Sequence, residues 1–401
     1  MNAVASTENI PAKNSAALTC RVVTELAEWQ KLENVWDTLL LASPDHTPWQ
    51  NFAFLTAWWT NLGQGMPLRV VVVERDGVPC LIMPLQISQW TAIPGLPVRL
   101  LEPISMIMDV NRPRLALGAF DLGAYQCALE EIWARRREWD LIRVDEKPWD
   151  DAEVMVLRDF AVQRGCILRQ SFSHLVPYLD LRQKWNDFLQ KKSQKMRKNL
   201  KAARKKLESL GPVELRFFQS AEEVQQAFDI FLDLHSRSWK QKRKVEHSKS
   251  PGQRAFFAQW LLAMAKQDAC CIPVLFCNGE PVAATIAFTQ SGVYYSAQIV
   301  HDAKFAACSP GTLLESLELE WLMNEKRHVR YEFLGSFLNN KLRWSDTATN
   351  SSIVLMFQRS LRTFVMDSYY YTLKPYIRPA LVRLLERLFP KKAGAAARTE
   401  I

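Results

Sequence analysis

The chain has 401 residues, a net charge of +9 and 48% hydrophobic residues, which is enough apolar material for about two or three hydrophobic cores. The first 18 residues lack the basic and apolar pattern of a signal peptide, and nowhere do about 18 apolar residues follow one another. The eight cysteines include no C-x-x-C pair, which argues against a zinc site or a disulfide framework. We therefore expect a globular, cytoplasmic protein with reduced cysteines and no metal.

The first half of the chain reads as alternating helices and strands. Residues 1–20 are polar and small, and we expect them to be disordered. Apolar periodicity and turn residues then predict the following elements. They are helices at 25–41 and 52–62, a hairpin around residues 76–77, an extended stretch at 93–103, a helix at 125–138, a strand at 140–145, a helix ending near 165 and a strand at 166–181.

A strongly basic segment follows. Between Lys191 and Lys206 the sequence KKSQKMRKNLKAARKK holds nine lysines and arginines and no acid. Apolar residues at three- and four-residue steps from Leu189 to Leu210 predict one amphipathic helix of about six turns, ended by Gly211-Pro212. The basic face is either a solvated surface between two domains or a binding surface for an anion, such as the phosphates of a cofactor, an acidic carrier protein, a nucleic acid or a membrane surface. We expect an anionic partner rather than the cofactor.

The second half repeats a pattern of the first. Asp76-Gly77 and Asn278-Gly279 each follow an apolar strand and precede a proline two positions after the glycine. Asp-Gly and Asn-Gly favour the type I′ turn of a hairpin, because both central residues need positive φ. Each hairpin is followed by a helix and a strand, so the sequence predicts one α/β unit used twice.

The predicted elements of the second half follow the same order. They are helices at 222–242 and 253–266, the hairpin at 271–289, a strand at 293–300, a helix at 312–326, strands at 328–334 and 352–358, and a helical stretch at 361–390 broken by prolines. This order of helices, antiparallel strands, a loop entering a helix and a further strand is that of the GNAT acyltransferase fold.

Three segments resemble the CelD/BcsL family of GNAT-type acetyltransferases, which are often encoded with bacterial cellulose or exopolysaccharide genes. They are Leu234-His-Ser-Arg-Ser-Trp239, Ser309-Pro-Gly311-Thr-Leu-Leu and Phe333-Leu-Gly335 followed by Lys341-Leu-Arg-Trp344. The motifs lie within residues 170–360. In the first half the resemblance rests only on the duplicated hairpin. A paired-GNAT architecture also resembles the Fem-type aminoacyl transferases.

The resemblance implies a mixed α/β (α+β) sheet protein made of two tandem GNAT-like domains. We place the N-terminal domain at 21–181, the basic connecting helix at 182–212, the C-terminal acyltransferase domain at 213–360 and a helical tail at 361–401. The tail is amphipathic and basic from Tyr376 to Lys392. It either packs on its own domain or lies peripherally in a membrane interface, at the inner face of the membrane.

In GNAT-type enzymes the pyrophosphate of coenzyme A sits where a loop enters a helix, because the unpaired N–H groups and the helix dipole favour an anion there. The resemblance places this site at Lys304, Ser309, Gly311 and Thr312, with Gln298 and Ile299 of the preceding strand beside the pantetheine arm. An ordinary capped helix start remains the alternative for this loop. The first half has neither basic residues nor a clear helix start at the corresponding place, so we expect acetyl-CoA, or another acyl-CoA, in the second half.

Proton transfer from an amine acceptor calls for a base, and the candidates are Glu332, His301 and Tyr331. Glu332 is either that base or the ion-pair partner of Arg330. We expect His235, Arg237, Trp239, Lys341 and Trp344 on the acceptor side, with a structural role as the alternative for His235.

The sequence therefore predicts an acyl-CoA-dependent acyltransferase that acts on an amine or a sugar hydroxyl. Two alternatives stay open. One is a Fem-like transferase that uses aminoacyl-tRNA, and the other is a catalytically silent GNAT scaffold that docks on a polysaccharide synthase.

Overall fold

The computed structural model describes residues 17–43, 45–104, 114–238, 250–334, 338–373 and 375–377. The strands of the first half are β1 (Leu18–Val23), β2 (Leu68–Arg75), β3 (Val78–Ile93), β4 (Leu96–Pro103), β5 (Leu141–Lys147) and β6 (Ile167–Asp180). Its helices are α1 (Leu26–Gln30), α2 (Glu33–Ala42), α3 (Phe52–Leu62), α4 (Leu122–Ala134) and α5 (Ala152–Gln163).

Two helices, α6 (Trp185–Lys191) and α7 (Gln194–Glu208), connect the halves. The strands of the second half are β7 (Val213–Phe218), β8 (Cys270–Cys277), β9 (Glu280–Gln290), β10 (Val293–His301), β11 (Arg330–Glu332) and β12 (Thr347–Phe357). Its helices are α8 (Ala221–Arg237), α9 (Pro251–Ala265), α10 (Pro310–Glu325), α11 (Leu338–Lys341) and α12 (Leu361–Asp367). A 3₁₀ turn, Ala303–Cys308, precedes α10, and a π-helical turn, Ser368–Leu373, follows α12.

Both predicted hairpins are confirmed. β2 pairs with β3 across Asp76-Gly77, and β8 pairs with β9 across Asn278-Gly279, with φ near 50° at the first turn residue and 78° at the glycine. These positive φ values belong to the type I′ turn. The predicted helix at 52–62 is confirmed as α3.

All twelve strands form one mixed sheet in the order β1-β2-β3-β4-β5-β12-β6-β11-β10-β9-β8-β7. The two halves mirror each other, because β4 pairs parallel with β5 and β10 pairs parallel with β11, while the flanking pairs are antiparallel. The last strand of each half crosses over. β6 pairs with β11 of the second half, and β12 pairs with β5 of the first. The fold is therefore a tandem, duplicated α/β unit whose halves exchange their final strands.

The prediction of one long basic helix between the halves is wrong in one respect, because this segment forms two helices. α6 ends at Lys191, and α7 starts after Ser193, whose extended backbone (ψ 148°) breaks the helix. The Ser193 hydroxyl accepts a hydrogen bond from the N–H of Met196 at 3.2 Å, which is the geometry of an N-cap. A serine within the basic run thus starts a new helix.

Other boundaries also differ. The helix predicted at 25–41 is divided into α1 and α2, and β11 is shorter than the strand predicted at 328–334. β1 begins at Leu18, inside the range predicted to be disordered, because it pairs with the edge of β2. Residues 1–16 lie outside the described residues. β7 was not predicted at all, although its Val-Glu-Leu-Arg alternation is that of an edge strand beside β8.

One hydrophobic core spans both halves. It combines residues of α1 to α3 and the first-half strands with residues of α8, α9 and the second-half strands. Its centre is aromatic. Trp260 of α9 stacks on Phe288 with ring centroids 4.0 Å apart and contacts Phe54 of α3 edge-on at 4.6 Å. The halves are therefore joined by packing on one face of the sheet as well as by strand exchange.

The described part of the C-terminal tail packs on the first half. Met366 of α12 is fully buried against β4, β5 and β12, and Arg169 forms a bidentate ion pair with Asp367 at 2.9 Å. The amphipathic segment predicted up to Lys392 lies outside the described residues from position 378 onward. Within the residues that the structure covers, no helix is long and apolar enough to cross a membrane.

We predict that Trp260→Ala lowers the free energy of unfolding by about 3–5 kcal/mol, because it removes a fully buried aromatic side chain between the halves. Guanidinium unfolding followed by far-ultraviolet circular dichroism measures this loss. Trp149→Ala is the control, since Trp149 is 51% exposed and its replacement should change stability by about 0.5 kcal/mol or less. Equal losses for the two variants would contradict the shared core.

Candidate functional site

The candidate site lies where two parallel strands of the second half part. β10 pairs with β11 only from Val293↔Arg330 to Tyr295↔Glu332, yet β10 continues to His301. A β-bulge between Ser296 and Gln298 bends β10 just beyond this ladder. The strands thus share a short ladder and then diverge, which creates an opening in the middle of the sheet.

The predicted cofactor residues Gln298 and Ile299 lie on the diverging part of β10. Beyond them, Asp302 starts the 3₁₀ turn by accepting a hydrogen bond from the N–H of Lys304 at 2.8 Å. The turn ends at Ser309, which has left-handed backbone angles (φ 49°, ψ 50°) and precedes α10. Strand, turn and helix start therefore follow one another at one end of the opening.

The start of α10 has the features of an anion site. Pro310 is in the first turn, where its missing N–H costs no hydrogen bond, and no side chain caps the helix. Gly311 lies against the end of β10, because a Cβ at this position would be 3.4 Å from Nδ1 of His301. The predicted residues Ser309, Gly311 and Thr312 are thus brought together with His301.

An open cleft of about 390 Å³ joins this helix start to the basic helix α7. Ser309 and Thr312 line one side, and Lys195, Asn199 and Lys206 of α7 line the other. The remaining lining residues include Ala307 and Arg343. Three cations therefore face a helix N-terminus across one cleft, an arrangement suited to phosphate groups.

The cations of α7 fall into two sets, those that line the cleft and those that do not. Leu200, Ala203 and Leu207 are buried, and Lys195, Asn199 and Lys206 fall along one edge of that apolar stripe. Lys198 and Lys201 are exposed and line no part of the cleft. The run of cations in the sequence indicates a single basic surface and does not single out the lysines of the cleft, although their position beside the apolar stripe is a usable signal.

Two predicted residues hold the loop together. Arg237, at the end of α8, forms an ion pair with the buried Asp302 and a second one with Asp233 at 2.6 Å. Lys304 pairs with Glu280 at 3.2 Å on the outer side of the turn and does not line the cleft. His235 is buried and stacks on Phe231 at 6.4 Å. Trp239 lies outside the described residues.

Glu332 stands at the end of the β10–β11 ladder, where the strands part. Its side chain is buried and pairs with Arg330, with 2.5 Å between Oε1 and Nη2. The guanidinium of Arg330 also lies over the ring of Tyr178 at 3.7 Å from its centroid. Glu332 therefore has the ion-pair partner that the sequence offers as the alternative to a role as base, and that role stays a prediction.

A buried polar cluster lies beneath α10. The hydroxyl of Tyr294 donates to Glu318, and Tyr294 stacks on the predicted Tyr331 at 5.4 Å. Burial raises the pKa of Glu318 to about 8 and the pKa of Tyr331 well above its usual value. Glu318 is therefore protonated at neutral pH.

Glu315, one turn earlier on α10, connects this cluster to the predicted acceptor side. Its carboxylate accepts a hydrogen bond from Nε1 of the buried Trp344 at 2.5 Å. Burial raises the pKa of Glu315 to about 7, and the charges of Arg343 and Lys341 oppose that rise. The predicted residues Lys341 and Trp344 are thus placed near α10, and Glu315 is a titratable neighbour that the sequence analysis missed.

The helix of the first half that corresponds to α10 is α4, and a carboxylate of the chain itself caps its start. Asp121 caps α4, accepting a hydrogen bond from the N–H of Ala124 at 3.1 Å, and it pairs with Arg75. Ser309 makes no such side-chain cap at α10. A bound anion at α4 would meet a negative charge that α10 lacks.

Metal ligation and cysteine chemistry find no support in the described residues. No group of three or more His, Cys, Asp or Glu side chains among them is placed to hold a metal ion. The eight cysteines are free thiols, and Cys270, Cys271, Cys277 and Cys308 are buried.

Comparison with known proteins finds one family match within the chain. Residues 194–341 match the family profile described as an acetyltransferase (GNAT) domain. This range contains α7, β10, β11 and α10, and all the residues that line the cleft except Ser193 and Arg343 lie within it. No curated protein matches the chain.

Two solved structures superpose on this chain with TM-scores of at least 0.50 and share its fold. The C-terminal domain of a putative lysylphosphatidylglycerol synthetase from Agrobacterium fabrum superposes with a TM-score of 0.51 at 10% identity, covering 84% of this chain and 95% of that one. A conserved protein of unknown function from Bacteroides thetaiotaomicron gives 0.50 at 11% identity, covering 81% and 97%. A tandem GNAT protein from the clavulanic acid biosynthesis pathway covers 86% and 100% at 12% identity, with a TM-score of 0.47.

We predict that the free energy of unfolding falls as the pH rises from about 5 to 8, because Glu318 keeps its proton in the folded state and loses it in the unfolded chain. The pKa of Glu318 is higher in the folded protein than in the unfolded chain. Its contribution to stability is therefore fully present below the unfolded pKa and is lost as the pH rises through the folded pKa. Each such group contributes a slope of up to about 1.4 kcal/mol per pH unit. Glu318→Gln should flatten the profile, whereas Glu325→Gln, an exposed change on the same helix, should not. Parallel profiles for Glu318→Gln and the unmodified protein would contradict the assignment.

Proposed function

We propose that this protein is an acyl-CoA-dependent acyltransferase that moves an acetyl group to an amine or a sugar hydroxyl. The observation that carries the proposal is the cleft in which Lys195 and Lys206 face the uncapped start of α10, within the GNAT-matching region. A role in exopolysaccharide or cellulose biosynthesis rests only on the CelD/BcsL resemblance of the sequence motifs.

The residues of the cleft fit the phosphates of coenzyme A. In the proposed complex, the N–H of Gly311 at the start of α10 and the lysines of α7 bind the pyrophosphate, while the diverging part of β10 runs beside the pantetheine arm. The N–H groups of Thr312 and Leu313 already donate to the carbonyl oxygen of Ser309, at 3.1 Å each. The site is assigned to the second half, since Asp121 occupies the corresponding helix start in the first.

The thioester supplies an already activated carbonyl, so the protein's task is to orient the acceptor and remove its proton. Glu332 is the proposed base, because it lies at the last residue pair of the β10–β11 ladder. Arg330 holds the Glu332 carboxylate in place through their ion pair. Lys341 and Trp344, joined to α10 through Glu315, are proposed to border the acceptor side.

One specific observation favours a second function. The exposed cations of α7 that do not line the cleft, Lys198 and Lys201 among them, form a separate basic surface suited to a polyanion. A Fem-like transferase would use such a surface for aminoacyl-tRNA. Binding of a polyanion would weaken steeply with salt, by roughly 0.7 in log K per neutralised phosphate of a single strand for each unit of log salt.

We predict that Lys195→Gln with Lys206→Gln weakens coenzyme A binding about three- to thirtyfold, because exposed ion pairs contribute ~0.3–1 kcal/mol each. Isothermal titration calorimetry on the full chain measures the effect. Lys198→Gln with Lys201→Gln is the matched control on the same helix and should leave coenzyme A binding unchanged. If the control pair abolishes tRNA binding instead, and neither pair affects coenzyme A, the aminoacyl-tRNA function replaces the proposal.

Gly311→Asp tests the helix start directly. A Cβ at residue 311 meets Nδ1 of His301 at 3.4 Å and Cδ1 of Ile299 at 3.7 Å, so the variant should fold, and its carboxylate adds a negative charge at the helix start. We expect coenzyme A binding to weaken by about 1–4 kcal/mol. Unchanged affinity in the folded variant would remove this site. If the unmodified protein binds neither coenzyme A nor aminoacyl-tRNA, the silent scaffold replaces both enzyme functions.

We predict that Glu332→Gln lowers kcat about 10²–10⁴-fold with little change in the KM for acetyl-CoA, as expected for loss of a general base. The measurement is a pH profile of kcat with a panel of amine and sugar acceptors. Arg330→Gln is the companion variant, since it breaks the same ion pair and leaves the carboxylate. A change below threefold in Glu332→Gln across the profile would show that the ion pair is only structural.

A further inference from the structure

The C-terminal end of the described chain carries an exposed apolar surface. On α12, Leu361 is 81% exposed and Phe364 is 62% exposed, and Val365 lies on the same side. Leu373, Tyr376 and Ile377 extend this surface, and all are exposed. We call these six residues the α12 surface.

This surface does not belong to the protein's own core. α12 has a separate inward side, on which Thr363, Met366 and Asp367 are buried. Tyr370, in the π-helical turn, packs on Trp90 with ring centroids 4.8 Å apart, which anchors the turn to β3. The inward contacts are therefore complete, and the apolar side chains of the α12 surface point away from them.

Positive charge accompanies the apolar side chains. Arg362 is 47% exposed, lies beside the apolar side of α12 and is 3.7 Å from the carboxylate of Asp140. Arg359 is exposed just before the helix. The sequence then continues from 378 to 401 with six lysines and arginines against two glutamates. Apolar side chains rimmed by cations match the interface of an anionic bilayer, where the side chains enter the acyl boundary and the cations meet the headgroups.

We propose that the α12 surface is a peripheral docking site for anionic phospholipid membranes. The proposal is independent of the acyltransfer reaction, because α12 packs on β4 and β5 of the first half and takes no part in the cleft of the second. It places this face of the protein against the membrane surface.

Co-sedimentation of the full chain with vesicles tests the proposal. We expect binding to vesicles containing phosphatidylglycerol, much weaker binding to pure phosphatidylcholine, and loss of binding at high salt. Leu361→Ser with Phe364→Ser should lower the partition coefficient about tenfold or more. Leu41→Ser with Val162→Ser is the matched control, because these side chains are 74% and 76% exposed elsewhere on the molecule.

Several results would overturn the proposal. One is absence of binding to anionic vesicles, and another is equal binding by the two double variants. If Leu361→Ser with Phe364→Ser converts a dimer into a monomer, the surface belongs to a second copy of the chain. If that variant lowers the midpoint of urea unfolding and its control does not, the chain itself covers the surface.

Discussion

The antiparallel pairing of β6 with β12 is the interaction on which the rest of the structure depends. Each strand ends one half of the chain and pairs with the other half, β6 with β11 and β12 with β5. Neither half can complete its sheet alone, because the neighbour of its fifth strand comes from the other half. The exchange leaves one sheet with only β1 and β7 as edges, and both edges are short.

The site follows from the same arrangement. β11 is held between β6 and β10, and its short parallel ladder with β10 ends at Glu332. The opening beyond that point leads to the 3₁₀ turn and the start of α10, which Arg237 and Asp302 fix in place. α7 then completes the cleft, because its apolar stripe packs beside α10 and brings Lys195 and Lys206 to the edge. Backbone amides and cations thus converge although they are far apart in sequence.

The duplicated halves have different chemistry at the same place in the fold. α10 starts at Ser309 without a side-chain cap, whereas α4 starts at Asp121 with a carboxylate cap and an ion pair to Arg75. A single acidic residue neutralises the positive end of the helix dipole in the first half. The first half contributes instead to the shared aromatic core and to the packing of α12.

The sequence by itself determined the features that depend on neighbouring residues. Asp76-Gly77 and Asn278-Gly279 specify their hairpins through local φ values, and the loop before Thr312 is recognisable as a helix start because proline and glycine act within one turn. Only the tertiary structure decided the strand exchange, the point at which β10 and β11 part, and the division of the lysines of α7 between cleft and solvent. Each of these depends on residues that are distant in sequence. Val293 pairs with Arg330 across 37 positions, Asp180 pairs with Arg330 across 150, and Lys195 and Ser309 line one cleft. A periodic pattern in one segment carries no information about its distant partner.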